Sequence, residues 1–456
     1  MERKDIVTSD KSELRLNADN IVRKIRSNGH EAFFVGGCVR DLLMTTEPKE
    51  YDITTNAKPE EISKIFKKTI PIGENFGVVL VLYNGFQFEV ATYRKDLGYS
   101  DGRHPDEVEY TKSVQEDVLR RDFTINGMLL DPMQGRLIDY VGGKDDIERG
   151  IIRTIGEPHN RFEEDKLRML RAVRFSARFK FKIDRGTSDA IVKNCSKIND
   201  VSPERIRDEI IKIITQDNPG PGVTLLSKLG LLKEVLPDVE AMQGVKQPEE
   251  FHPEGDVFLH TCLVLDKLFE NTNGNYSQEL AMGALLHDVG KPPTFTVSDR
   301  IRFNAHDRVG ADMSRYICRG LRLSNKQIDR IYSLIKEHLR FKDVFKMRKS
   351  TLKRFLATPY FHEHLELHRA DCLASHGMLD AYKLVLEKLG ELEEEDIKPV
   401  PIVTGKDLIS LGYTPGPIFS DILDYLNEAQ LEGIISNKGE AIDYISRKFP
   451  LNQGKD

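Results

Sequence analysis

The spacing of apolar residues changes once along this chain, and that change limits the folds open to it. Before about residue 150, short apolar runs such as Ala32–Val35 alternate with turns, as strands and helices of a mixed domain do. From about residue 163 onward, apolar side chains recur at steps of three and four, as at Leu167, Leu170, Val173 and Ala177. That step is the period of an amphipathic helix. The pattern predicts an α+β amino-terminal part followed by a helical remainder.

The length of the chain predicts several domains. A chain of 456 residues is too long for one ordinary core and suggests about two to four domains. Turn-rich segments at residues 217–222 and 247–253 and an acidic stretch at residues 391–396 have the composition of linkers. We therefore predict a head over residues 15–150, a helical neck over 151–216, a helical body over 217–395 with a histidine-rich domain at about 252–380, and a helical tail over 396–456.

Composition favours a soluble protein of the cytoplasm. No apolar run approaches the ~18 residues that a membrane span needs. The start, Met-Glu-Arg-Lys-Asp, lacks the apolar stretch of a secretory signal. The five cysteines are far apart and form no Cys-x-x-Cys pair, which disfavours both a disulfide framework and a cysteine zinc site.

Positive charge is concentrated in two segments, although the formal net charge of the chain is −6. Residues 161–182 hold eight lysines and arginines against three acids, and residues 339–354 hold seven against one. Either segment can be an ordinary solvated helix face. Next to a nucleotide-handling site, each would instead suit an RNA backbone.

Residues 33–43 resemble a strand, a glycine turn and the start of a helix. Gly36 and Gly37 in the turn would let backbone amides approach an anion, and a helix N-terminus favours negative charge. Arg40, one turn into the helix, can add a charge-assisted hydrogen bond to phosphate. Most such turns are only turns, so a second element has to support the interpretation.

Glu50 and Asp52 supply that element, at the start of a predicted strand. Residues i and i+2 share one face of a strand, and two adjacent carboxylates gain most from a shared divalent cation. Glu89, in the strand after an Asn84-Gly85 hairpin signal, can supply a third carboxylate. Two Mg²⁺ ions roughly 4 Å apart would activate a 3′-hydroxyl and stabilise the leaving pyrophosphate. The alternative for Glu50 and Asp52 is a polar edge at the entrance of a strand.

Five motifs in order along the chain resemble those of class II tRNA nucleotidyltransferases and bacterial poly(A) polymerases, members of the polymerase-β superfamily. They are Gly-Gly-Cys-Val-Arg-Asp at 36–41 with the acid-x-Asp pair at 50–52, the flexible loop for ATP at 93–105, Arg-Arg-Asp-Phe-Thr-Ile-Asn-Gly at 120–127, Glu-Asp-Lys-Leu-Arg-Met-Leu-Arg at 164–171, and Ser-Pro-Glu-Arg-Ile-Arg at 202–207. The resemblance implies a polymerase-β-like head with a mixed sheet, an all-α neck, body and tail, Mg²⁺ in the head, and addition of CCA to the tRNA 3′ end from CTP and ATP. The family pattern is Asp-x-Asp, so Glu50 is a departure; we expect it to shift the metal and to preserve activity.

By the same resemblance, Asp165 and Arg168 read the Watson–Crick edges of CTP and then ATP. The two residues are three apart, so a continuous helix would place them on one face. A carboxylate accepts and a guanidinium donates, which together can complement a base edge. Arg171 and Arg174 continue that face and can hold the triphosphate; the alternative pairs these arginines with neighbouring acids. The predicted nucleotide-binding set is Gly36, Gly37, Arg40, Arg121, Asp122, Asn126, Asp165, Arg168, Arg171 and Arg174, and the predicted catalytic set is Glu50, Asp52 and Glu89.

A second set of residues, in the order His, His-Asp, His, His, Asp, resembles the HD phosphohydrolase superfamily. Imidazoles and carboxylates suit Mn²⁺, Ni²⁺ or Fe²⁺, and Mg²⁺ can also serve. Gly290 and Pro292 predict the end of a helix, which would let the adjacent histidine and aspartate both ligate. The resemblance implies a phosphatase or 2′,3′-cyclic phosphodiesterase that cleans damaged 3′ ends. Its predicted metal ligands are His260, His287, Asp288, His306, His338 and Asp371.

The sequence leaves three functions open. The first is addition or repair of CCA, and the second is addition of A alone or of poly(A). An enzyme that adds only the two cytidines is disfavoured, since that type lacks a proper loop at the position of residues 94–105. The third function, of another class, is an HD metal-dependent phosphohydrolase with an RNA-binding head. The tail at residues 403–433 resembles the carboxy-terminal segment of HD-containing members, and packing is the simplest role for it.

Overall fold

The structure is a computed structural model that describes residues 12–73, 77–97, 107–250, 252–392, 397 and 399–450. The chain divides into two compact units. The first comprises residues 1–241 and 320–322, and the second comprises residues 242–319 and 323–456. The predicted four-part division stays a prediction. Most of the predicted flexible loop at 93–105 and of the acidic stretch at 391–396 lies outside the described residues.

A mixed sheet forms the centre of the first unit. Its strands and those of a neighbouring ribbon are β1 (Ala32–Val35), β2 (Asp52–Thr55), β3 (Thr69–Gly73), β4 (Val78–Tyr83), β5 (Phe86–Thr92), β6 (Arg94–Leu97), β7 (Glu107–Tyr110), β8 (Met128–Asp131) and β9 (Arg136–Asp139). The sheet order is β3-β4-β5-β2-β1-β8-β9, and β6 pairs with β7 separately. Strands β2 and β5 are parallel, with Ile53 opposite Val90, and the other neighbours are antiparallel.

The predicted hairpin between β4 and β5 is confirmed. Tyr83 pairs with Phe86, which leaves Asn84 and Gly85 as the two loop residues. Their φ angles are 50° and 84°. Positive φ at both positions is what a tight hairpin turn of matching twist requires, and Asn-Gly tolerates it best. The hairpin fixes the position of β5, and therefore of Glu89, beside β2.

Helices alternate with the strands of this sheet, and the rest of the first unit is mainly helical. They are α1 (Glu13–Ser27), α2 (Gly37–Leu43), α3 (Pro59–Ile65), α4 (Val114–Leu119), α5 (Gly143–Arg149), α6 (Pro158–Glu164), α7 (Arg168–Phe179), α8 (Arg185–Asn194), α9 (Pro203–Thr215), α10 (Pro219–Lys228), α11 (Leu231–Val235) and α12 (Pro237–Glu240), with 3₁₀ turns at Thr124–Asn126 and Cys195–Asp200. The apolar face of α1 (Ile21, Val22, Ile25) packs with Phe34 and Ile53 in the core. The α+β head followed by helices is confirmed, although the short parallel strands β10 (Ile151–Ile152) and β11 (Lys182–Ile183) pair within the helical part.

The linker predicted at residues 217–222 is wrong. Helix α10 begins at Pro219, and Pro219, Gly220 and Gly222 are buried. Proline suits the first turn of a helix because its missing N–H has no partner there anyway. A Cβ on Gly222 would lie 2.7 Å from Ile213 Cγ2, so the glycine lets α10 pack closely on α9. The same residues that mark a turn therefore start a packed helix.

Over its described residues, the second unit is helical apart from one short hairpin. Its elements are α13 (Val257–Thr272), α14 (Gln278–Leu286), α15 (Lys291–Thr294), β12 (Phe295–Val297), β13 (Ile301–Phe303), α16 (His306–Gly320), α17 (Asn325–Glu337), a 3₁₀ helix (His338–Lys346), α18 (Lys349–Leu356), α19 (Phe361–Ala374), α20 (Asp380–Glu391), α21 (Gly405–Ser410), α22 (Pro417–Glu432) and α23 (Lys438–Lys448). The tail has its own apolar core around Leu408, Ile422 and Ile445. Among the helices described, none has the length and apolar character needed to cross a membrane.

Candidate active site and a second metal-ligand cluster

One cavity of about 550 Å³ in the first unit gathers the predicted nucleotide-binding residues. All ten of them line it, together with Glu50 and Asp52. Nine cationic and four acidic side chains face this space, a balance that suits a polyanion such as a triphosphate. The lining residues outside the predicted sets are Arg94, Arg120, Phe175, Arg178 and Lys212.

Two of the three predicted catalytic carboxylates, Glu50 and Asp52, line this cavity, whereas Glu89 does not line it; only Asp52 and Glu89 lie on strands. Asp52 opens β2, whereas Glu50 is exposed in the segment before it, so the prediction that a strand places both is wrong for Glu50. The pairing of Ile53 with Val90 puts Glu89 beside Asp52 on the neighbouring strand. Burial, Glu50 and Glu89, in that order, raise the pKa of Asp52 to about 6, against a smaller opposing effect of Arg121. A carboxylate cluster of this kind fits a divalent cation.

The glycine turn lies directly against two charged groups of the site. Gly36 precedes α2 with a φ of 77°, in the region that favours glycine. A Cβ at Gly36 would lie 3.6 Å from Arg121 Nη1 and 3.8 Å from Asp52 Oδ2. The predicted strand, turn and helix are confirmed, and the turn brings backbone to the carboxylates.

Arg168, Arg171 and Arg174 are each paired with an acid, and each still faces the cavity. Arg171 donates to Asp122 Oδ2 from Nε at 2.9 Å and from Nη2 at 2.5 Å. Arg174 Nε lies 2.9 Å from Glu209 Oε2. Burial by itself would raise the pKa of Asp122, but Arg171 outweighs it and holds that pKa at about 2. These ion pairs hold the guanidiniums in place beside the space that a triphosphate would fill.

Asp117 is a residue of the site that the sequence interpretation missed. Its side chain is fully buried in α4. It accepts from Arg120 Nη2 at 2.7 Å and from Arg121 Nη2 at 3.1 Å, one on each carboxylate oxygen. The spacing of three and four residues from Asp117 to these arginines is the helical signal that could have found it.

The prediction of one continuous helix through Asp165 and Arg168 is wrong. Helix α6 ends at Glu164 and α7 begins at Arg168. Asp165 has extended backbone, and its Oδ1 accepts from the N–H of Leu167 at 3.1 Å, a local bond that competes with helix formation. Its Oδ2 accepts from Arg205 Nη2 at 2.8 Å. The turn, rather than a shared helix face, brings Asp165 and Arg168 to the same cavity.

The raised pKa of Asp52 predicts a pH-dependent cost in stability. Its folded pKa of about 6 exceeds its ordinary 3.8, so the folded chain keeps a proton that the unfolded chain releases between those values. The resulting stability is present at low pH and is lost as the pH rises through 6. We expect metal-free Asp52→Asn to melt higher than the parent at pH 7, with the difference shrinking at about pH 4.5. Calorimetry in chelator tests this, and an equal difference at both pH values would contradict it.

In the second unit, the six predicted metal ligands come together. They lie on α13, at the end of α14, at the start of α16, after α17 and on α19. His260 Nε2 lies 3.0 Å from Asp371 Oδ1, and His306 Nε2 lies 3.5 Å from Asp288 Oδ1. The ligand atoms fall into two groups, each within 4.8 Å, and the adjacent His287 and Asp288 belong to different groups. The two groups are His260, His287 and Asp371, and Asp288, His306 and His338.

The chemical state of these side chains suits a metal. The Nε2 atoms of His287 and His306 are buried and lack a well-oriented hydrogen-bond partner among the described residues. Burial chiefly, with His306 and His287 next, lowers the pKa of His338 to about 3, which keeps its imidazole in the neutral form that ligates. Buried polar atoms without partners call for an explanation, and a divalent cation supplies one.

The segment predicted as a linker at residues 247–253 contributes to this cluster, so that prediction is also wrong. Gln247 is buried, and Val257 N donates to Val245 O at 3.1 Å, which ties the segment to the start of α13. His252 and Glu254 lie next to His260, with Glu254 Oε1 2.7 Å from His260 Nδ1. His252 and Glu254 share no helical or strand period with the other histidines, so the sequence pattern does not predict this contact.

Comparisons with known families match most of the chain. The Poly A polymerase head domain matches residues 32–153, the probable RNA and SrmB-binding site of polymerase A matches residues 180–243, and the HD domain matches residues 257–375. The first match contains the carboxylates and the glycine turn, and the third contains the six clustered ligands.

Relatives extend over nearly the whole length. A CCA-adding enzyme from Lactobacillus johnsonii is 32% identical over 431 residues, 93% of this chain and 96% of the relative. One from Lactobacillus gasseri is 31% identical over 428 residues, 92% of this chain and 94% of the relative. The crystal structure of the Bacillus stearothermophilus CCA-adding enzyme in complex with CTP aligns with a TM-score of 0.75 and 27% identity, and covers 96% of this chain and 98% of that one.

Proposed function

Because the chain belongs to the family of CCA-adding enzymes, which are tRNA nucleotidyltransferases, we propose that it adds or repairs the 3′-terminal CCA of tRNA from CTP and ATP. The observation that supports this most is the cavity in the first unit. It combines the carboxylates of Glu50 and Asp52 with the cationic wall and with Asp165 and Arg168. We also propose a cytoplasmic location, because that is where tRNA, CTP and ATP meet.

Family membership implies divalent metal in both the head and the HD domain, and the head ligands point to Mg²⁺. Glu50, Asp52 and Glu89 offer only oxygen atoms, the type that Mg²⁺ prefers. When bound, Mg²⁺ would activate the 3′-hydroxyl and neutralise the leaving pyrophosphate. Arg171, held by Asp122, and Arg121, held by Asp117, can donate to the triphosphate without first having to be ordered.

The choice of C and A follows from hydrogen-bonding capacity. Cytosine and adenine each carry an exocyclic amino donor beside a ring-nitrogen acceptor on the Watson–Crick edge, whereas uracil and guanine present N–H and carbonyl groups. The carboxylate of Asp165 can accept from the amino group, and the guanidinium of Arg168 can donate to the ring nitrogen. The pair therefore complements the two bases of CCA and rejects the other two.

One experiment separates this function from its nearest alternatives. The protein is incubated with tRNAs that end before CCA, after C and after CC, with each nucleoside triphosphate alone, and the products are sequenced. We expect C, C and A, respectively, each added to its own substrate. Addition of A to the tRNA ending in CC, with no addition of C to the two shorter tRNAs, would select the A-adding alternative. Homopolymeric A on unstructured RNA would select a poly(A) polymerase.

The clustered histidines support a second activity, hydrolysis of a phosphate or a 2′,3′-cyclic phosphate at damaged 3′ ends. The mixed nitrogen and oxygen ligands suit Mn²⁺, Ni²⁺ or Fe²⁺, with Mg²⁺ also acceptable. A bound metal would supply hydroxide from water at neutral pH. Lys291 Nζ, 2.7 Å from Asp288 Oδ2, places a positive charge beside the cluster.

Separate substitutions in the two sites should separate the two activities. His287→Ala removes a direct ligand and is expected to lower hydrolysis by about 100-fold or more, since loss of an outer-shell partner alone costs about 10- to 100-fold. CCA addition should stay at the parental rate. Asp52→Asn should do the reverse. Hydrolysis is followed with a 2′,3′-cyclic phosphate substrate and addition with radiolabelled CTP. Unmodified protein with no bound metal and no hydrolysis in Mn²⁺, Ni²⁺ or Mg²⁺ would refute the second activity.

A further inference from the structure

The histidines of the second-unit cluster are oriented in two different ways. In three of them, ring Nδ1 contacts the backbone carbonyl three residues earlier. These contacts join His287 to Ala284 at 2.8 Å, His306 to Phe303 at 2.9 Å and His338 to Ile335 at 2.6 Å. His260 differs, because its Nδ1 lies 2.7 Å from Glu254 Oε1, a charged contact whose angle falls short of a hydrogen bond.

The helix positions of these residues explain the difference. Ala284 and Ile335 lie in the last turns of α14 and α17, and Phe303 precedes α16, where carbonyls have no partner within a helix. His260 is the fourth residue of α13, where the preceding carbonyls accept the N–H groups of the helix itself. A side chain must therefore provide the acceptor that orients its ring.

Glu254 is itself tied to the opposite side of the cluster. Its Oε1 accepts from Gln247 Nε2 at 3.1 Å, and Gln247 Oε1 accepts from Lys291 Nζ at 2.9 Å. Lys291 Nζ in turn lies 2.7 Å from Asp288 Oδ2. The side chain of Glu254 is 8% exposed, and Gln247 and Lys291 are buried. A chain of polar contacts thus joins the residue behind His260 to a ligand of the other group.

The backbone around Glu254 is fixed as well. Gln247 N donates to Gly255 O at 3.2 Å. Asp256 accepts from Leu259 N at 3.0 Å, which caps α13, and from Gly244 N at 2.7 Å. Glu254 therefore belongs to a pinned loop that leads straight into the helix carrying His260.

We propose that Glu254 is a positioning residue of the second-unit metal centre: its carboxylate holds the Nδ1–H of His260 so that Nε2 faces the metal, with Gln247 and Lys291 coupling this contact to Asp288. Metal-ligating histidines usually donate their second N–H to a carboxylate or a carbonyl, and both kinds of acceptor occur here. This inference rests on the metal centre named under the proposed function. It assigns a role to Gln247 and Glu254 that the turn-like composition of their segment does not suggest.

Metal titration of the full-length chain tests the proposal. An Asp52→Asn background removes the head carboxylate that would compete for the ion. Mn²⁺ binding is followed by electron paramagnetic resonance, and the Co²⁺ complex by its visible spectrum. Glu254→Ala is expected to weaken Mn²⁺ binding about 10- to 100-fold and to change the Co²⁺ spectrum. Glu254→Gln should recover much of the affinity, because its amide oxygen still accepts from Nδ1–H, and the exposed control Glu250→Gln should change neither readout.

The outcomes separate the proposal from simpler explanations. Parental affinity and an unchanged Co²⁺ spectrum in Glu254→Ala would overturn it. Loss of one equivalent of Mn²⁺, with the rest bound as tightly as before, would also overturn it, because Glu254 would then be a ligand of its own ion. Glu254→Gln has nearly the parental shape and keeps an acceptor for Nδ1–H. Weak Mn²⁺ binding by both variants at an unchanged melting temperature would therefore overturn the proposal that Glu254 orients the His260 ring. A background protein that binds no Mn²⁺ would instead refute the metal centre itself.

Discussion

Asp52→Asn is expected to lower the incorporation of CMP and AMP into tRNA lacking CCA by about 1000-fold or more. Asp52 lies at the centre of the three head carboxylates, beside both Glu89 and the glycine turn. An amide of the same shape keeps the packing and removes the charge that would hold a divalent cation. Metal stabilisation of developing charge amounts to several kcal/mol, and each ~1.4 kcal/mol is a factor of ten in rate. Single-turnover incorporation of radiolabelled nucleotide at saturating Mg²⁺ measures the loss.

Three further variants show whether this loss is specific to the metal site. Glu60→Gln removes an exposed carboxylate from α3, away from the cavity, and should add nucleotides at the parental rate. Glu50→Ala should abolish addition, whereas Glu50→Asp should keep it. Full turnover in Glu50→Ala would remove Glu50 from the metal site, and full turnover in Asp52→Asn would remove the site altogether.

Asp165→Ala should lose the choice of base more than the affinity for triphosphate. Its carboxylate is the acceptor for the amino group of cytosine or adenine, while the arginines that face the triphosphate are held by other acids. A bidentate contact to a base contributes about 1–3 kcal/mol of discrimination. We therefore expect the ratio of kcat/KM for CTP to that for UTP to fall by about 5- to 150-fold. The same measurement is made with ATP and GTP on tRNA ending in CC.

Asp189→Asn is the matched control for this substitution. Asp189 is an exposed residue of α8, and its loss should leave all four kcat/KM values unchanged. A uniform decrease for the four nucleotides in Asp165→Ala would contradict a base-reading role. It would show instead that Asp165 matters through its contact with Arg205 and the stability of the turn.

The residues of both sites could be predicted from short patterns, but their backbone settings could not. Gly36 and Asp52 follow from local spacing, and the histidine series follows from its resemblance to the HD superfamily. Helical spacing also predicts Asp165 and Arg168 on one face of a continuous helix, and that prediction is wrong. The carboxylate of Asp165 bonds to the backbone two residues on, and such a bond ends a helix without any apolar residue changing position.

Prolines and glycines caused the larger errors, because they have two structural uses. In residues 217–222 they begin a helix and permit close packing, whereas Pro248 and Pro253 lie in a segment closed by the hydrogen bond from Gln247 N to Gly255 O. A linker and a buried turn share this composition, and only long-range partners distinguish them. Gln247 and Glu254 have such partners at Lys291 and His260, which no local pattern reveals.

Glu50 and Asp52 are anchored differently, and this sets how freely each can vary. Asp52 is paired with Val35 in the sheet, so its Cα is fixed and a longer side chain there would push its carboxylate past the site. Glu50 is exposed and lies before the strand, outside the sheet pairing, so its carboxylate position can adjust by about the length of one methylene. Mutational drift between aspartate and glutamate is therefore tolerable at the first carboxylate and not at the second. This chain, with glutamate at position 50 and aspartate at position 52, carries the longer side chain at the position that can accommodate it.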